Sequence, residues 1–295
     1  MIERDARTHQ GGRPQEVEHT LSGNNMETQS TQLSPERLST FLKTRLLGRL
    51  LEYHACIDST NIRAKQLASF PEREGLVVIA DSQTAGRGRM TRVWQSPPGR
   101  NLYFSIIIRP DVPPQTLPQL ALLCAIAAHK AMSKTIPDHH FGLKWPNDLW
   151  SEQQKKLSGI LCEGVMNGAQ TSVVAGIGIN VNGQSDDFPP EIRNTAGTLE
   201  EIAGHPLDRT EFLAHFLNSL EPILDEWQRA QSLLPFIDYW NKFDCLQGKN
   251  ITVQDSGDFK KGIAKGIMHD GRLILTTQDG ELFIHAGDVH ILKNG

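Results

Sequence analysis

Leu76-Val-Val-Ile-Ala-Asp-Ser-Gln-Thr-Ala-Gly-Arg-Gly-Arg-Met-Thr-Arg-Val-Trp94 is an apolar run that stops abruptly in a basic, glycine-bearing loop. Leu76 to Ala80 reads as a buried strand. Asp81 to Trp94 then sets Arg87, Arg89 and Arg92 close together, interleaved with Gly86 and Gly88 and closed by Trp94. Glycine lets the backbone approach a ligand closely, and guanidinium groups hold phosphate or carboxylate oxygens bidentately. The loop is therefore an anion site or a solvated basic patch of the kind that meets nucleic acid, and on local sequence both stay open.

The rest of the chain narrows the choice. Its 295 residues have room for one large domain and a small one. The formal net charge is −4, so the arginines are a local feature rather than part of the basic field a dedicated nucleic-acid binder carries. Cys56, Cys124, Cys162 and Cys245 are widely spaced, with no CxxC and no zinc pattern, and read as free thiols in a reducing cytoplasm. No apolar stretch approaches the ~20 residues of a membrane span, and no secretory signal is visible. A cytoplasmic protein without a membrane partner is expected.

In order along the chain, residues 1–33 are polar and lack aromatic side chains, and are expected to be a disordered leader. A DNA-binding winged helix does not fit there, since a domain usually needs at least about 50 residues. Ser34-Pro35-Glu36 starts a helix, Leu50 to Ile57 reads as a strand, and Asp58-Ser-Thr-Asn61 caps a second helix. These short polar side chains are either caps only or hydrogen-bonding groups at a ligand site. Leu102 to Ile108 is a strand and Leu117 to Met132 a helix with an apolar stripe. Lys144-Trp-Pro-Asn-Asp148 presents charged groups around a turn. Ile160 to Met166 and Gln170 to Ala175 form a hairpin about Asn167-Gly168. Gly176-x-Gly178 is half of a dinucleotide fingerprint, but no helix follows it. Asp208 caps a helix from Arg209 to about Gln228, which Pro222 should bend, and another helix covers about Leu233 to Phe243. From Gly248 onward the texture is short strands at Ile251–Val253, Lys261–Ile267, Arg272–Thr276, Glu281–His285 and Val289–Leu292, a small β-barrel.

There is no GxxxxGK[ST] phosphate loop, no HExxH and no GxSxG. Several cations and polar groups at strand ends suit a reaction between an anionic substrate and a nucleotide. Gly86-Arg-Gly-Arg89 with Arg92 and Trp94, Lys144-Trp-Pro-Asn-Asp148, Lys156-Leu-Ser-Gly-Ile160, Gly176-Ile-Gly-Ile-Asn180 and Asp58-Ser-Thr-Asn61 stand in the order and spacing of biotin protein ligases. The resemblance covers about residues 34 to 292.

That resemblance implies an α+β fold. A class II synthetase-like catalytic domain, a mixed sheet with packed helices, is expected over residues 34–245, and an SH3-like β-barrel over 246–295. It implies activation of biotin with ATP and Mg2+ to biotinyl-5′-adenylate. Biotin then passes to a lysine of the biotin carboxyl carrier domain of acetyl-CoA carboxylase or a related carboxylase. Carried over residue by residue, Ser59, Thr60, Asn61, Gln83, Arg87, Gly88, Arg89 and Lys156 meet biotin. Arg87, Arg89, Arg92, Trp94, Asn147 and Asn180 meet the nucleotide, with Trp94 over adenine. Lys156, Arg89, Asp148 and Lys144 do the chemistry: Lys156 bridges carboxylate and α-phosphate, Lys144 is a second phosphate-side cation, and Asp148 either receives the carrier lysine or is a structural carboxylate that holds Lys144 or the turn. Met90-Thr91 departs from the Arg-Gly of many members. The family allows a homodimer, and without a winged helix no DNA partner is expected. The alternatives are a lipoate or related acyl ligase on the same scaffold, or a biotin-responsive transcriptional regulator.

Overall fold

The computed structural model describes residues 32–167, 170–255 and 258–292. The expected leader lies outside these residues except for its last two, and so does Gly168 of the expected Asn167-Gly168 turn. The described chain is engaged slightly earlier than residue 34: Leu33 is buried in the core, and the Thr210 hydroxyl donates to the Gln32 carbonyl at 3.1 Å.

Seven strands, β1 (Leu51–His54), β2 (Val77–Ala80), β3 (Leu102–Ile108), β4 (Phe141–Lys144), β5 (Asp148–Ser151), β6 (Lys156–Asn167) and β7 (Gln170–Ile179), form one mixed sheet. Its order is β1-β2-β3-β7-β6-β5-β4. Only β1 and β2 run parallel; every other neighbouring pair is antiparallel. The helices are α1 (Pro35–Phe41), α2 (Thr60–Leu67), α3 (Leu120–Thr135), α4 (Pro190–Arg193), α5 (Leu199–Ala203), α6 (Arg209–Ala230) and α7 (Ile237–Phe243). A second, antiparallel sheet is built from β8 (Asn250–Asp255), β9 (Asp258–Ile267), β10 (Leu273–Thr277), β11 (Gly280–Ile284) and β12 (Asp288–Ile291), in the order β11-β10-β9-β8-β12. This is the α+β class expected, with the C-terminal strands where the sequence puts them.

Strand alternation divides the large sheet into two faces. Phe104, Ile106, Ile177 and Ile179 belong to a core built with α3 and α6, where Phe104 meets Phe216 edge-on at 5.1 Å between ring centroids. The alanines of α3 (Ala125, Ala127, Ala128, Ala131) are fully buried and let that helix pack closely. Asp208 caps α6 by accepting from the amides of Thr210 and Glu211, and the helix runs uninterrupted through Pro222. On the opposite face, Ala64 and Ala68 of α2 cover Val78, Ile107 and Val174. The apolar core is continuous into the second sheet through Ile251, Val253 and Leu273. Trp145 Nε1, beside the cis Trp145-Pro146 bond, donates to the Gly271 carbonyl at 2.9 Å. No helix among the described residues is long and apolar enough to cross a membrane.

The helix expected from about Leu233 begins at Ile237 after a 3₁₀ turn, the strand expected from Lys261 begins at Asp258, and three further boundaries differ nearer the large sheet. β1 ends at His54, and Ile57 joins only by an isolated bridge to Gln83. Pro118, lacking an N–H, sits in a 3₁₀ turn over Pro114–Gln119, so the α-helix expected from Leu117 begins at Leu120. β6 starts at Lys156 rather than Ile160, which puts that lysine on the sheet.

Candidate active site

The face covered by α2 is left open beyond the N-cap of that helix, Ser59. There the cross-strand partners Ser105, Gly176 and Leu161 make one row, and Tyr103, Gly178, Gly159 and Asp148 the next. Three of these positions have no side chain, and the vacancies are used. A Cβ on Gly176 would lie 1.8 Å from Asn61 Oδ1, and one on Gly178 would lie 2.4 Å from Trp94 Cε2. A Cβ on Gly159 would lie 2.9 Å from Trp94 Cζ3 and 3.3 Å from Lys156 Nζ. Gly176-x-Gly178 is thus a pair of clearances in a sheet that seat Asn61 and Trp94, and no dinucleotide-binding turn follows it.

Above this floor is a cavity of about 280 Å³ with two chemically different ends. One end is polar and uncharged, made by Ser59, Thr60, Asn61 and Gln83. Gln83 Oε1 accepts from the Thr60 amide at 2.9 Å, while Gln83 Nε2 donates to Ser96 Oγ at 2.9 Å. Ser105 Oγ lies 2.6 Å from Asn61 Oδ1 and 2.8 Å from Thr60 Oγ1.

The other end is cationic. Lys156 Nζ donates to Asp148 Oδ1 at 2.6 Å and lies 5.7 Å from the centroid of the Trp94 ring. Arg89 donates to Asn147 Oδ1 at 3.1 Å and reaches the Gly287 carbonyl at 3.4 Å, while Arg92 pairs with Asp288. Arg87 stands apart from these, on the side of the neutral end, 3.7 Å from the Glu163 carboxylate to which Asn61 donates. The loop that carries these arginines closes on itself, since the Gly88 amide donates to the Arg92 carbonyl at 2.7 Å. Its tip, Met90 and Thr91, is left-handed at φ 51° and 61°. A β-branched side chain at such a φ is strained, so Thr91 holds a backbone conformation that glycine adopts at less cost. Trp94 Nε1 is buried without a hydrogen-bond partner.

Of the sequence-predicted residues, Ser59, Thr60, Asn61, Gln83, Arg87, Gly88, Arg89, Arg92, Trp94, Asn147, Asp148, Lys156 and Asn180 all line this cavity. Asn180 spends its amide donor on the Lys156 and Gly197 carbonyls, so it fixes the start of β6. Lys144 is the exception. It pairs with Asp148 across β4 and β5, is buried, and packs its ammonium 4.0 Å from the Trp150 ring centroid, outside the cavity lining. Burial pulls the Lys144 pKa below the usual lysine range, against the neighbouring Asp148 carboxylate, which raises it.

Sequence reasoning missed Ser105, Glu163 and Asp288. Glu163 accepts from Asn61 Nδ2 at 3.0 Å and from Lys65 Nζ at 3.1 Å. Burial alone would raise its pKa, but the hydrogen bonds from Asn61 and Lys65 and the nearby cations bring it below the ordinary carboxylate range. A signal existed: Gly159, Leu161 and Glu163 alternate onto one face, so a charge at 163 points to the site side. Ser105 inside an apolar strand was a weaker one. Asp288 had none, because only the packing of the second sheet brings it to Arg92.

Residues 53–180 match the biotin/lipoate A/B protein ligase family and residues 247–292 the biotin protein ligase C-terminal domain. The chain is 37% identical over 260 residues to the bifunctional ligase/repressor BirA of Bacillus spizizenii, spanning 88% of this chain and 79% of that protein. It is 32% identical over 276 residues to the biotin–[acetyl-CoA-carboxylase] ligase of Mycobacterium tuberculosis, spanning 90% and 100%. Among solved structures, the biotin protein ligase of Aquifex aeolicus in complex with biotin and ATP superposes with a TM-score of 0.72 at 30% identity, over 83% of this chain and all of that one.

Proposed function

This chain belongs to the biotin protein ligase family, and from that premise we propose that it joins biotin to ATP as biotinyl-5′-adenylate and passes the biotinyl group to a carrier-protein lysine. The observation that carries this reading is the two-ended cavity: the neutral hydrogen-bonding side chains Ser59, Thr60, Asn61 and Gln83 at one end, with Arg87 beside them, and Arg89, Arg92 and Lys156 at the other. A ureido ring needs the first, and the meeting of a carboxylate with a triphosphate needs the second. Without cations the two anions repel, so fixed positive charge lowers the barrier to their approach and stabilises charge that develops in transfer.

In the first step a biotin carboxylate oxygen forms a bond to the α-phosphorus, and the bond from that phosphorus to the pyrophosphate oxygen breaks. Lys156, held over the glycine floor by Asp148, bridges the carboxylate and the α-phosphate. Arg89 and Arg92 face the departing pyrophosphate. In the second step the carrier lysine amine attacks the acyl carbon and AMP leaves; Asp148 accepts the hydrogen bond, and then the proton, of that amine. Asn147 keeps Arg89 in register, and Lys144 supports the strand pair that presents Asp148 rather than reaching the phosphates.

Among the described residues no cluster of three or more His, Cys, Asp or Glu side chains is placed to hold a metal ion. Mg2+ would enter with ATP and would supply charge neutralisation at the phosphates, and no step above runs through it. The acceptor we assign is the lysine-bearing carrier domain of a biotin-dependent carboxylase. Incubating the chain with ATP, biotin and a purified carboxyl carrier domain should add one biotinyl group to that domain, read by mass spectrometry. An unmodified carrier in the presence of accumulating adenylate would remove the second half of the proposal.

A further inference from the structure

The neutral end of the cavity is wired to a charge outside it. Glu163 does not line the cavity, yet two donors converge on its carboxylate, Asn61 Nδ2 at 3.0 Å on Oε2 and Lys65 Nζ at 3.1 Å on Oε1, with the Arg87 guanidinium 3.7 Å from Oε1 as a further positive charge. A carboxylate offers only acceptors, so Asn61 must turn its amino group toward Glu163 and its Oδ1 toward Ser105. Gly176 fixes the amide in that plane, because Asn61 Oδ1 lies where a Cβ would be.

The polarity then propagates. Ser105 has one proton and gives it to Asn61 Oδ1 at 2.6 Å. Its oxygen is left to accept from Thr60 Oγ1 at 2.8 Å. Among the described residues the other acceptor within reach of the Thr60 proton is Gln83 Oε1 at 3.2 Å, turned toward it because Gln83 Nε2 is spent on Ser96. Either way the Thr60 proton points inward, and Thr60 shows the cavity lone pairs only.

We propose that Glu163 is a positioning residue that sets the hydrogen-bond direction of the chain Glu163–Asn61–Ser105–Thr60, so that the cavity accepts from a ligand with ring N–H donors. This deepens the reading of the site as a biotin site and rests on it. A cyclic urea supplies such donors, whereas the dithiolane ring of lipoate has none. Discrimination by an oriented acceptor is steep, since a ligand lacking the donor leaves a buried polar group unpaired.

Glu163→Gln tests the direction. The single carbonyl oxygen of glutamine goes to Lys65, the charge-assisted and stronger bond, so its amino group faces Asn61. Asn61 must then flip, Ser105 reverses, and Thr60 loses a free lone pair. Isothermal titration of the full chain should show the Kd for biotin rising at least tenfold, while the ATP KM stays within threefold. Preference for biotin over a tetrahydrothiophene-valerate analogue lacking the ureido group should collapse by a similar factor. Ser105→Ala breaks the same chain at an uncharged link and should reproduce that loss of preference. Glu163→Gln combined with Asn61→Asp places the acceptor-only group at position 61 and should recover most of the biotin affinity.

A biotin Kd within twofold of wild type in both Glu163→Gln and Ser105→Ala would overturn the proposal while leaving biotin as the ligand. Equal losses for biotin and the ureido-free analogue, with no recovery in the double variant, would reduce Glu163 to a structural anchor and overturn it too. Failure of the wild-type chain to bind biotin at all would instead refute the reading beneath it.

Discussion

Gly178→Ala asks whether the glycine floor is what seats Trp94. The φ of Gly178 is not in the left-handed region, so alanine fits the backbone and the effect is purely one of space. The added Cβ would lie 2.4 Å from Trp94 Cε2 and 2.5 Å from Nε1, against 3.4–4 Å for ordinary contact. The indole must therefore lift by about 1 Å, the difference between 3.4 and 2.4 Å. A misplacement of that size near reacting groups costs up to about 10²-fold in rate. Trp94 lines the cavity and is not part of the buried apolar core, so the fold should survive its displacement. Biotin-dependent ATP–pyrophosphate exchange should show the ATP KM rising about tenfold or more, with the biotin KM within threefold. In a Trp94→Ala background the same substitution should have no further effect on ATP KM or Tm, a non-additive cycle of the kind contacting residues give. Equal effects of Gly178→Ala with and without the Trp94 side chain would refute the seating argument.

The other expectations concern chemistry and stability. Lys156→Ala should lower exchange by at least about 10²-fold, the scale of losing one preorganised charge at the reacting oxygens, whereas Asp148→Asn should slow single-turnover transfer to the carrier more than it slows exchange; equal losses in the two assays would make Asp148 structural. Arg209 is buried, with its guanidinium 2.8 Å from Asp81 Oδ1 and 3.0 Å from the Asn101 carbonyl, so Arg209→Met should cost about 3 kcal/mol in denaturant unfolding by leaving the half-buried Asp81 carboxylate without its counter-charge. Arg45→Ala, which removes an exposed pair to Asp225, should cost less than about 1 kcal/mol; a reversed order would contradict the burial argument. Burial lifts the Asp244 carboxyl from its usual 3.8 to about 6. A carboxyl raised in the folded state favours folding while protonated, so its contribution is complete below about pH 4 and lost as pH rises through about 6. Asp244→Asn keeps an acceptor for the Leu246 amide and removes the buried charge, so from pH 4.5 to 8 its Tm should gain roughly 5 °C or more on the wild type; a Tm difference that does not change with pH would refute the assignment.

Much of this was legible locally. The apolar runs at 76–80 and 102–108, the Asp208 cap and the short C-terminal strands are each fixed by near neighbours, and their elements lie where the sequence puts them. The motifs could be collected from the sequence because each sits at a strand end, and strand ends converge on one side of a sheet. What stayed hidden depends on pairing between distant segments. The role of Gly176 and Gly178 as clearances follows from β3 and β6 lying on either side of β7, which no local pattern announces. Lys144 and Lys156 look alike as lysines beside motif residues, yet the β4–β5 register buries one against Trp150 and opens the other to the cavity. Asp288 meets Arg92 across 196 residues of sequence.

The central claim is that this cavity activates biotin, and ATP–pyrophosphate exchange with biotin, lipoate and octanoate supplied in turn tests it most directly. Exchange that requires biotin and is absent with the other two acids is the expected result; exchange driven by lipoate or octanoate and not by biotin would contradict it.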